Sequence, residues 1–235
     1  MKVNFFEYQK LYLEKKTQYK NIFDDVCTRG AFILQKDLEN FEKKLAKFLN
    51  VKYAIGINDG TNALIISLMA NNIGNGDEVI VPSHTYIASA ASIKLVGAKP
   101  VFADIDLYDN LIDPKDIIKK ITKKTKAIMP VHVNGRICDM KQIVKISKKY
   151  NLKVIEDGAQ AIGAKYEGQS IGTFGECASI SFYPAKTLGS FGDAGAILTN
   201  DKELYDKMRF ARDHGRNDEG EFIMWGYNSR MDNFQ

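Results

Sequence analysis

From residue 53 onward, the chain alternates between short apolar runs and segments whose apolar positions recur every three or four residues. The apolar runs predict seven strands, each bounded by polar residues or glycine. These strands are predicted at residues 53–57, 78–82, 99–105, 125–132, 153–157, 177–183 and 195–200. The intervening segments predict helices at residues 60–72, 85–97, 113–121, 139–151 and 201–215.

Two helical segments are predicted before the first strand. Residues 4–27 form a mixed aromatic and charged stretch, and residues 37–50 place their apolar positions on one helical face. Asp37 is the predicted N-cap of the second segment. Capping signals also mark two later helix starts, at Asp113 with Pro114 and at Asp139 with Gln142.

Continuous apolar strands that alternate with helices are typical of a parallel sheet covered on both faces. The sequence therefore predicts an α/β fold with a mostly parallel sheet. A short connection without helical pattern predicts that residues 195–200 run antiparallel to the preceding strand. Ligands of such sheets bind beyond the carboxyl ends of the strands. The segments at those ends are 59–61, 83–86, 132–135, 157–160 and 184–186.

Composition narrows the class of protein without indicating a reaction. The 235 residues are 45% apolar and 26% charged, which is typical of a globular protein with a sizeable core. The net charge is +4, and the densest lysine cluster, residues 119–126, is expected to be a solvated helix end and turn. A nucleic-acid surface would carry more arginine and interleaved aromatic residues. The mild positive charge suits an anionic small molecule.

Redox and targeting signals predict a cytoplasmic protein. Cys27, Cys138 and Cys177 are far apart in the sequence, which favours reduced thiols over a disulfide framework. The N-terminus lacks the apolar core of a signal peptide, and no window approaches the length of a membrane span. The histidines show no metal-ligand pattern, and His132 is expected to be packed and hydrogen-bonded. We therefore expect no metal site.

Asp59, Gly60 and Thr61 open an apolar helix directly after a strand. The unpaired N–H groups and the dipole of a helix start favour an anion, for which phosphate is the natural candidate. The alternative is an ordinary strand-to-helix turn capped by Asp59 or Thr61. The glycines are too few for a P-loop or a dinucleotide fingerprint, which argues against a nicotinamide-dependent reductase.

Three more side chains at strand ends are candidates for chemistry. Asp157 follows an apolar run, where a carboxylate either caps the next element or meets a cation such as a protonated ring nitrogen. Tyr86 either packs in the core or stacks on a planar ligand. Lys186 is either an ordinary solvated lysine or a partly desolvated amine that attacks carbonyl groups. The glycines beside it favour the second alternative, because they permit close approach of the backbone. Together these features describe a site for a phosphorylated pyridine aldehyde.

The chain resembles the pyridoxal-phosphate-dependent sugar aminotransferases of the DegT/DnrJ group, which have the fold type I architecture. The matching stretches are GTNALIISL, GDEVIVPSHTYIASAASIKLVGAKPVFADID, PVHVNG, VIEDGAQAIGA, SFYPAKTLGSFGDAGAILTND and GYNSRMDNFQ. The family often has glycine where this chain has Gln35, a change expected to reshape the substrate mouth. The resemblance implies that residues 1–235 form the large cofactor domain with an N-terminal helical segment. The family's small C-terminal domain is expected to be absent.

The resemblance also implies a role for each matched site residue. Lys186 would hold pyridoxal 5′-phosphate as a Schiff base and shuttle a proton, while Asp157 would pair with the pyridine nitrogen. Gln160 would lie near the phenolic oxygen, and Tyr86 would stack on the ring. The phosphate would be held by Gly60, Thr61 and Ser181, together with Asn228 from the other subunit of a homodimer.

The activity implied by the resemblance is amino-group transfer from an amino acid, glutamate, to a keto group of a nucleotide-linked deoxysugar. Sugar dehydratases of this family carry histidine in place of the lysine, so Lys186 favours amino transfer. The alternative is a truncated, non-catalytic protein that binds the cofactor or nothing, because the chain ends at Gln235. The sugar, the nucleotide and the aminated position are left open.

Overall fold

The computed structural model describes residues 3–235. Its N-terminal part consists of helices α1 (Tyr8–Glu14), α2 (Lys16–Arg29) and α3 (Lys36–Leu49). The elements that follow are β1 (Tyr53–Ile57), α4 (Gly60–Ala70), β2 (Glu78–Pro82), α5 (Ile87–Leu95), β3 (Lys99–Ala103), α6 (Pro114–Lys120), β4 (Thr125–Ile128), a 3₁₀ turn (Val133–Gly135), α7 (Met140–Tyr150), β5 (Lys153–Asp157), β6 (Lys165–Tyr166), β7 (Gln169–Ser170), β8 (Cys177–Ser181), β9 (Gly195–Thr199) and α8 (Lys202–Ala211).

Seven strands form one sheet in the order β1-β9-β8-β5-β4-β2-β3, and β6 pairs with β7 in a separate hairpin. The strands from β8 to β3 are mutually parallel, whereas β9 runs antiparallel to both of its neighbours. The predicted mostly parallel sheet and the antiparallel last strand are therefore confirmed. Because β9 is reversed, its first residue, Gly195, lies beside Ile57 and Ser181 at the carboxyl ends of β1 and β8.

Helices cover both faces of the sheet. On one face, α4 packs its apolar residues against alternate strand positions such as Ile155 and Ile197. On the other face, α3 packs Leu38, Leu45 and Leu49 against the intervening positions of β8 and β9. This alternation is the period of two that a buried strand requires. No helix within residues 3–235 is both long and apolar enough to cross a membrane.

Most of the predicted helix caps are confirmed. The side chains of Asp59, Asp113 and Asp139 each accept a hydrogen bond from a backbone N–H in the first turn of the following helix. The prediction for Asp37 is wrong, because α3 begins earlier and Gln35 occupies the N-cap position. Asp37 lies in the first turn, where it accepts from the Arg29 guanidinium at 3.0 Å instead.

Four strands end earlier than predicted, at Ala103, Ile128, Ser181 and Thr199. The apolar run of β4 continues beyond Ile128 to Val131, but Pro130 has no N–H group with which to extend the hydrogen-bond ladder. The prediction of one helical stretch over residues 4–27 is also imprecise. The backbone departs from helical geometry at Lys15, where φ is −123°, and this divides the stretch into α1 and α2.

Candidate functional site

A cavity of about 1300 Å³ lies at the carboxyl ends of the parallel strands. Most of its lining comes from the segments that follow β1, β2, β4, β5 and β8, which are the five segments singled out from the sequence, and Phe5 and Phe6 also line it. Seven of the predicted site residues line it: Gly60, Thr61, Tyr86, Asp157, Gln160, Ser181 and Lys186. Asn228 is exposed and does not line this cavity.

The start of α4 forms one wall of the cavity. Asp59 caps the helix by accepting from the Asn62 N–H at 2.8 Å, so the capping alternative for Asp59 is correct. This cap does not use the N–H groups of Gly60 and Thr61, which have no intrahelical acceptor because they occupy the first helical positions. The wall thus presents backbone donors and the positive end of a helix dipole.

Two glycines bring Ser181 next to this helix start. A Cβ atom on Gly60 would lie 2.8 Å from the Ser181 Cβ, and one on Gly195 would lie 2.6 Å from the Asp59 carbonyl carbon. Ser181 Oγ accepts from the Tyr183 N–H at 3.3 Å, which leaves its hydroxyl hydrogen for another acceptor. The result is a cradle of small residues and hydrogen-bond donors at a helix start, which is the kind of site that binds a phosphate group.

Asp157 ends β5 with only 5% of its surface exposed. One carboxylate oxygen accepts from the Ser89 hydroxyl at 2.7 Å, and the other accepts from the Ala159 N–H at 3.1 Å. The bond from the Ala159 N–H caps the turn that follows β5, so the capping alternative for Asp157 is correct, and the carboxylate also borders the cavity. A buried carboxylate that borders a cavity is a strong site for a cation.

Lys186 lies in a tight turn in which its N–H donates to the Tyr183 carbonyl at 2.8 Å. Burial lowers the pKa of the Lys186 amine, and the negative charge of Asp157 acts in the opposite direction. The neighbouring glycines serve a purpose other than the one predicted. Gly189 faces the Pro184 carbonyl and Gly195 faces the backbone at Asp59, so their close approach is to the chain itself.

Gln160 is oriented by the segment 132–135, which was singled out from the sequence, although no residue of that segment was predicted to contact Gln160. Its side-chain oxygen accepts from the backbone N–H of Asn134 at 2.7 Å. Asn134 has a left-handed φ of 56°, and it belongs to the 3₁₀ turn after β4. Because the amide oxygen is engaged, Gln160 offers its NH₂ group to any further partner.

Thr85 lies in the segment 83–86 that was singled out, but neither Thr85 nor Ser89 was predicted as a site residue, although both line the cavity. Their hydroxyl oxygens are 2.7 Å apart. The available signal was a pair of hydroxyl residues four positions apart at a helix start that follows a strand. Tyr86 lies between them with 77% of its surface exposed, so its ring is accessible to a ligand.

The side chains around the cavity can bind an anion, hold a cation and supply a partly dehydrated amine. This donor set fits pyridoxal 5′-phosphate, which carries a phosphate, a basic ring nitrogen and an aldehyde. Within residues 3–235, no group of three or more His, Cys, Asp or Glu side chains is arranged to hold a metal ion. His132 is fully buried and hydrogen-bonded to Glu156 at 3.1 Å, as expected for a packed histidine.

Comparison with known proteins shows which family and which relatives the chain is similar to. Residues 14–235 match the family model described as the DegT/DnrJ/EryC1/StrS aminotransferase family. A "pleiotropic regulatory protein" from Geobacillus stearothermophilus is 43% identical over the whole chain. A dTDP-3-amino-3,6-dideoxy-alpha-D-galactopyranose transaminase from Aneurinibacillus thermoaerophilus is 45% identical over 99% of it. The chain spans 63% and 64% of the lengths of these two relatives.

A solved structure has the same fold. The crystal structure of NtdA from Bacillus subtilis with its cofactor PMP bound superimposes with a TM-score of 0.94 and 36% sequence identity. The match covers all of this chain and 54% of the other. The parallel sheet, its reversed strand and the helices on both faces are therefore those of a known aminotransferase-type architecture.

Proposed function

The chain belongs to the DegT/DnrJ/EryC1/StrS aminotransferase family, and on this premise we propose that it is a pyridoxal-phosphate-dependent sugar aminotransferase. The substrates we propose are glutamate as amino donor and a keto group of a nucleotide-linked deoxysugar as acceptor. PMP, named with the Bacillus subtilis relative, is the amine form of the same cofactor. The transaminase from Aneurinibacillus thermoaerophilus supports a nucleotide-linked sugar.

One observation carries the proposal. Lys186, Asp157 and the start of α4 come from three distant parts of the sequence and line a single cavity. An amine, a buried carboxylate and an anion cradle are what a phosphorylated pyridine aldehyde requires, and few other ligands need all three. The lowered pKa of Lys186 supports its role as a nucleophile, because only the neutral amine attacks a carbonyl.

Each residue then has a defined task. The N–H groups of Gly60 and Thr61 and the hydroxyl of Ser181 bind the phosphate, and Tyr86 covers the ring. Asp157 holds negative charge at the ring nitrogen, and the Gln160 NH₂ group donates to the phenolic oxygen. When bound, pyridoxal phosphate supplies an electron sink for the electrons released at the substrate carbon. The Nζ atom of Lys186 carries the proton that leaves the substrate carbon.

The test is reconstitution with pyridoxal phosphate, followed by borohydride reduction and peptide mass spectrometry. We expect a new visible absorption band and a stable adduct on Lys186. Glutamate added before reduction should convert the spectrum to that of the amine form. A nucleotide-linked keto-sugar should then restore the original spectrum and yield an amino sugar.

Lys186→Ala should lose both the adduct and turnover, whereas Lys165→Ala, in the exposed hairpin strand β6, should lose neither. Failure of the wild-type protein to form an adduct would favour the non-catalytic alternative. Adduct formation without any spectral response to glutamate would retain the cofactor and exclude glutamate as the donor.

We further propose a homodimer in which Asn228 binds the phosphate held by the other subunit. The exposure of Asn228 outside the cavity of its own chain supports this arrangement. Mixing inactive Lys186→Ala subunits with Asn228→Ala subunits should restore activity, because one site of each heterodimer then has both residues. No recovery after subunit exchange would contradict the shared site.

The compartment we propose is the cytoplasm. The three cysteines are free thiols in the fold, and nucleotide-linked sugars are consistent with an intracellular reaction. Cell fractionation with an antibody to the protein tests this location.

A further inference from the structure

A short chain of hydroxyl groups leads from the cavity wall to the Asp157 carboxylate. Ser89, in the first turn of α5, is 1% exposed, and its hydroxyl donates to Asp157 Oδ2 over 2.7 Å. Thr85 Oγ1 lies 2.7 Å from the same Ser89 oxygen. The three side chains therefore form one continuous hydrogen-bonded series.

The direction of these hydrogen bonds follows from counting protons. A hydroxyl has one hydrogen, and an ionised carboxylate can only accept. Ser89 therefore donates its hydrogen to Asp157, and Thr85 must be the donor in its contact with Ser89. The other carboxylate oxygen accepts from the Ala159 N–H at 3.1 Å. Both oxygens of Asp157 thus face a donor from the protein.

This arrangement disfavours a proton on Asp157. Each donor stabilises the ionised carboxylate more than the neutral acid, because a hydrogen bond to a charged acceptor is the stronger one. A hydroxyl that itself accepts from a second hydroxyl is also a stronger donor. We propose that Ser89, supported by Thr85, is a positioning residue that keeps the negative charge on Asp157.

The inference rests on the proposed function and makes it more specific. In a complex with pyridoxal phosphate, Asp157 would face the ring nitrogen, and one proton would lie between the two groups. Ser89 favours the arrangement in which this proton resides on nitrogen and the charge resides on the carboxylate. A purely structural Ser89 would contribute to folding stability but would leave the location of this proton unchanged.

The experiment uses pyridoxal phosphate labelled with nitrogen-15 at the ring, bound to the full chain, because the nitrogen resonance distinguishes protonated from neutral pyridine. Ser89→Ala should shift the proton distribution toward Asp157 by about tenfold, the effect expected for one hydrogen bond to a charged group. Ser89→Thr keeps the hydroxyl and should retain the wild-type resonance. An unchanged resonance in folded Ser89→Ala would overturn the proposal.

Thr85→Val gives a second, independent measurement that leaves Ser89 in place. We expect a smaller shift in the same direction, with Thr85→Ser close to wild type. Circular dichroism checks the fold of each variant, and if Ser89→Ala does not fold, no shift in Thr85→Val would overturn the proposal. If the wild-type protein binds no cofactor, the proposed function fails. If it binds and the variants match it, only the inference about Ser89 fails.

Discussion

Two neighbouring carboxylates on β5, Glu156 and Asp157, have very different surroundings. Glu156 is 0% exposed and accepts from the His132 ring and from two backbone N–H groups, those of Gly172 and Gly175. Asp157 has two protein donors and borders the cavity. Consecutive strand residues point to opposite faces of the sheet. Glu156 is therefore enclosed by protein, whereas Asp157, the next residue, is available to a ligand.

The hydrogen bonds of His132 show that its ring is a donor to Glu156. The backbone N–H of Cys138 donates to Nδ1 of His132 at 3.2 Å, so the ring proton lies on Nε2. Nε2 then donates to Glu156. Every partner of Glu156 belongs to the protein, which assigns this residue to stability. Asp157 is also buried, but it borders the cavity, so its remaining acceptor sites are open to a ligand.

The largest expected effect is on stability at Glu156. Glu156→Ala removes the acceptor for two buried donors and one part-buried donor, and we expect the free energy of unfolding to fall by roughly 3–5 kcal/mol. Denaturant-induced unfolding followed by circular dichroism measures this loss. The matched control is Glu167→Ala, whose exposed ion pair with Lys141 spans 3.7 Å and should contribute about 0–1 kcal/mol. Similar losses in the two variants would contradict the contrast.

The next effect is on catalysis at Asp157. Asp157→Asn keeps the size of the side chain but removes its charge, and we expect the glutamate half-reaction to slow by roughly 100-fold. Unfolding should change by only about 1 kcal/mol, because the amide oxygen can still accept one of the two hydrogen bonds. Single-turnover absorbance and denaturant unfolding measure the two quantities. A large stability loss with unchanged turnover would reverse the assignments of the two carboxylates.

The sequence was sufficient to predict three of the five strand ends that build the site. The bounds of β1, β2 and β5 agree with the predictions, because polar residues or glycine follow each of these buried runs directly. The antiparallel β9 was also predicted, from the shortness of its connection. The hairpin of β6 and β7 was missed, since each strand has two residues and only the turn at Glu167 and Gly168, both with positive φ, marks it.

The contacts within the site could not be predicted to the same degree. Lys186 and Asp157 were predicted as site residues because the residue type and the strand end both point to chemistry, and both line the cavity. Ser89 is 68 positions from Asp157, and Asn134 is 26 positions from Gln160. No local pattern records such pairings, because they depend on how α5 and the turn after β4 pack at the sheet edge.

A smaller effect is expected from removing the histidine beside Glu156. His132→Leu keeps the apolar bulk but leaves Glu156 with two donors and the Cys138 N–H without its acceptor. We expect a loss of roughly 2 kcal/mol in unfolding free energy, with cofactor affinity unchanged. Exposed His84→Leu serves as the control and should be neutral in stability. A strong loss of cofactor binding in His132→Leu would show that the two carboxylates are not independent.

The smallest effect concerns the amine of Lys186 and distinguishes the two carboxylates electrostatically. Burial lowers the pKa of Lys186, and the charge of Asp157 partly offsets that shift. The folded amine should therefore lose its proton at lower pH than the same lysine in denatured protein. Asp157→Asn removes the negative charge that favours the ammonium form of Lys186. This substitution should therefore lower the pKa of Lys186 further.

Glu156→Gln is the matched variant, since it removes a charge one residue away on the other face and should leave the midpoint of Lys186 unchanged. The measurement is the pH dependence of acetylation at Lys186, followed by peptide mass spectrometry in the absence of cofactor. A midpoint that rises in Asp157→Asn, or that responds equally to both variants, would contradict the contrast. Equal shifts in the pKa of Lys186 would mean that Glu156 and Asp157 act on the amine equally. The face of the sheet to which each carboxylate points would then not determine its effect on the site.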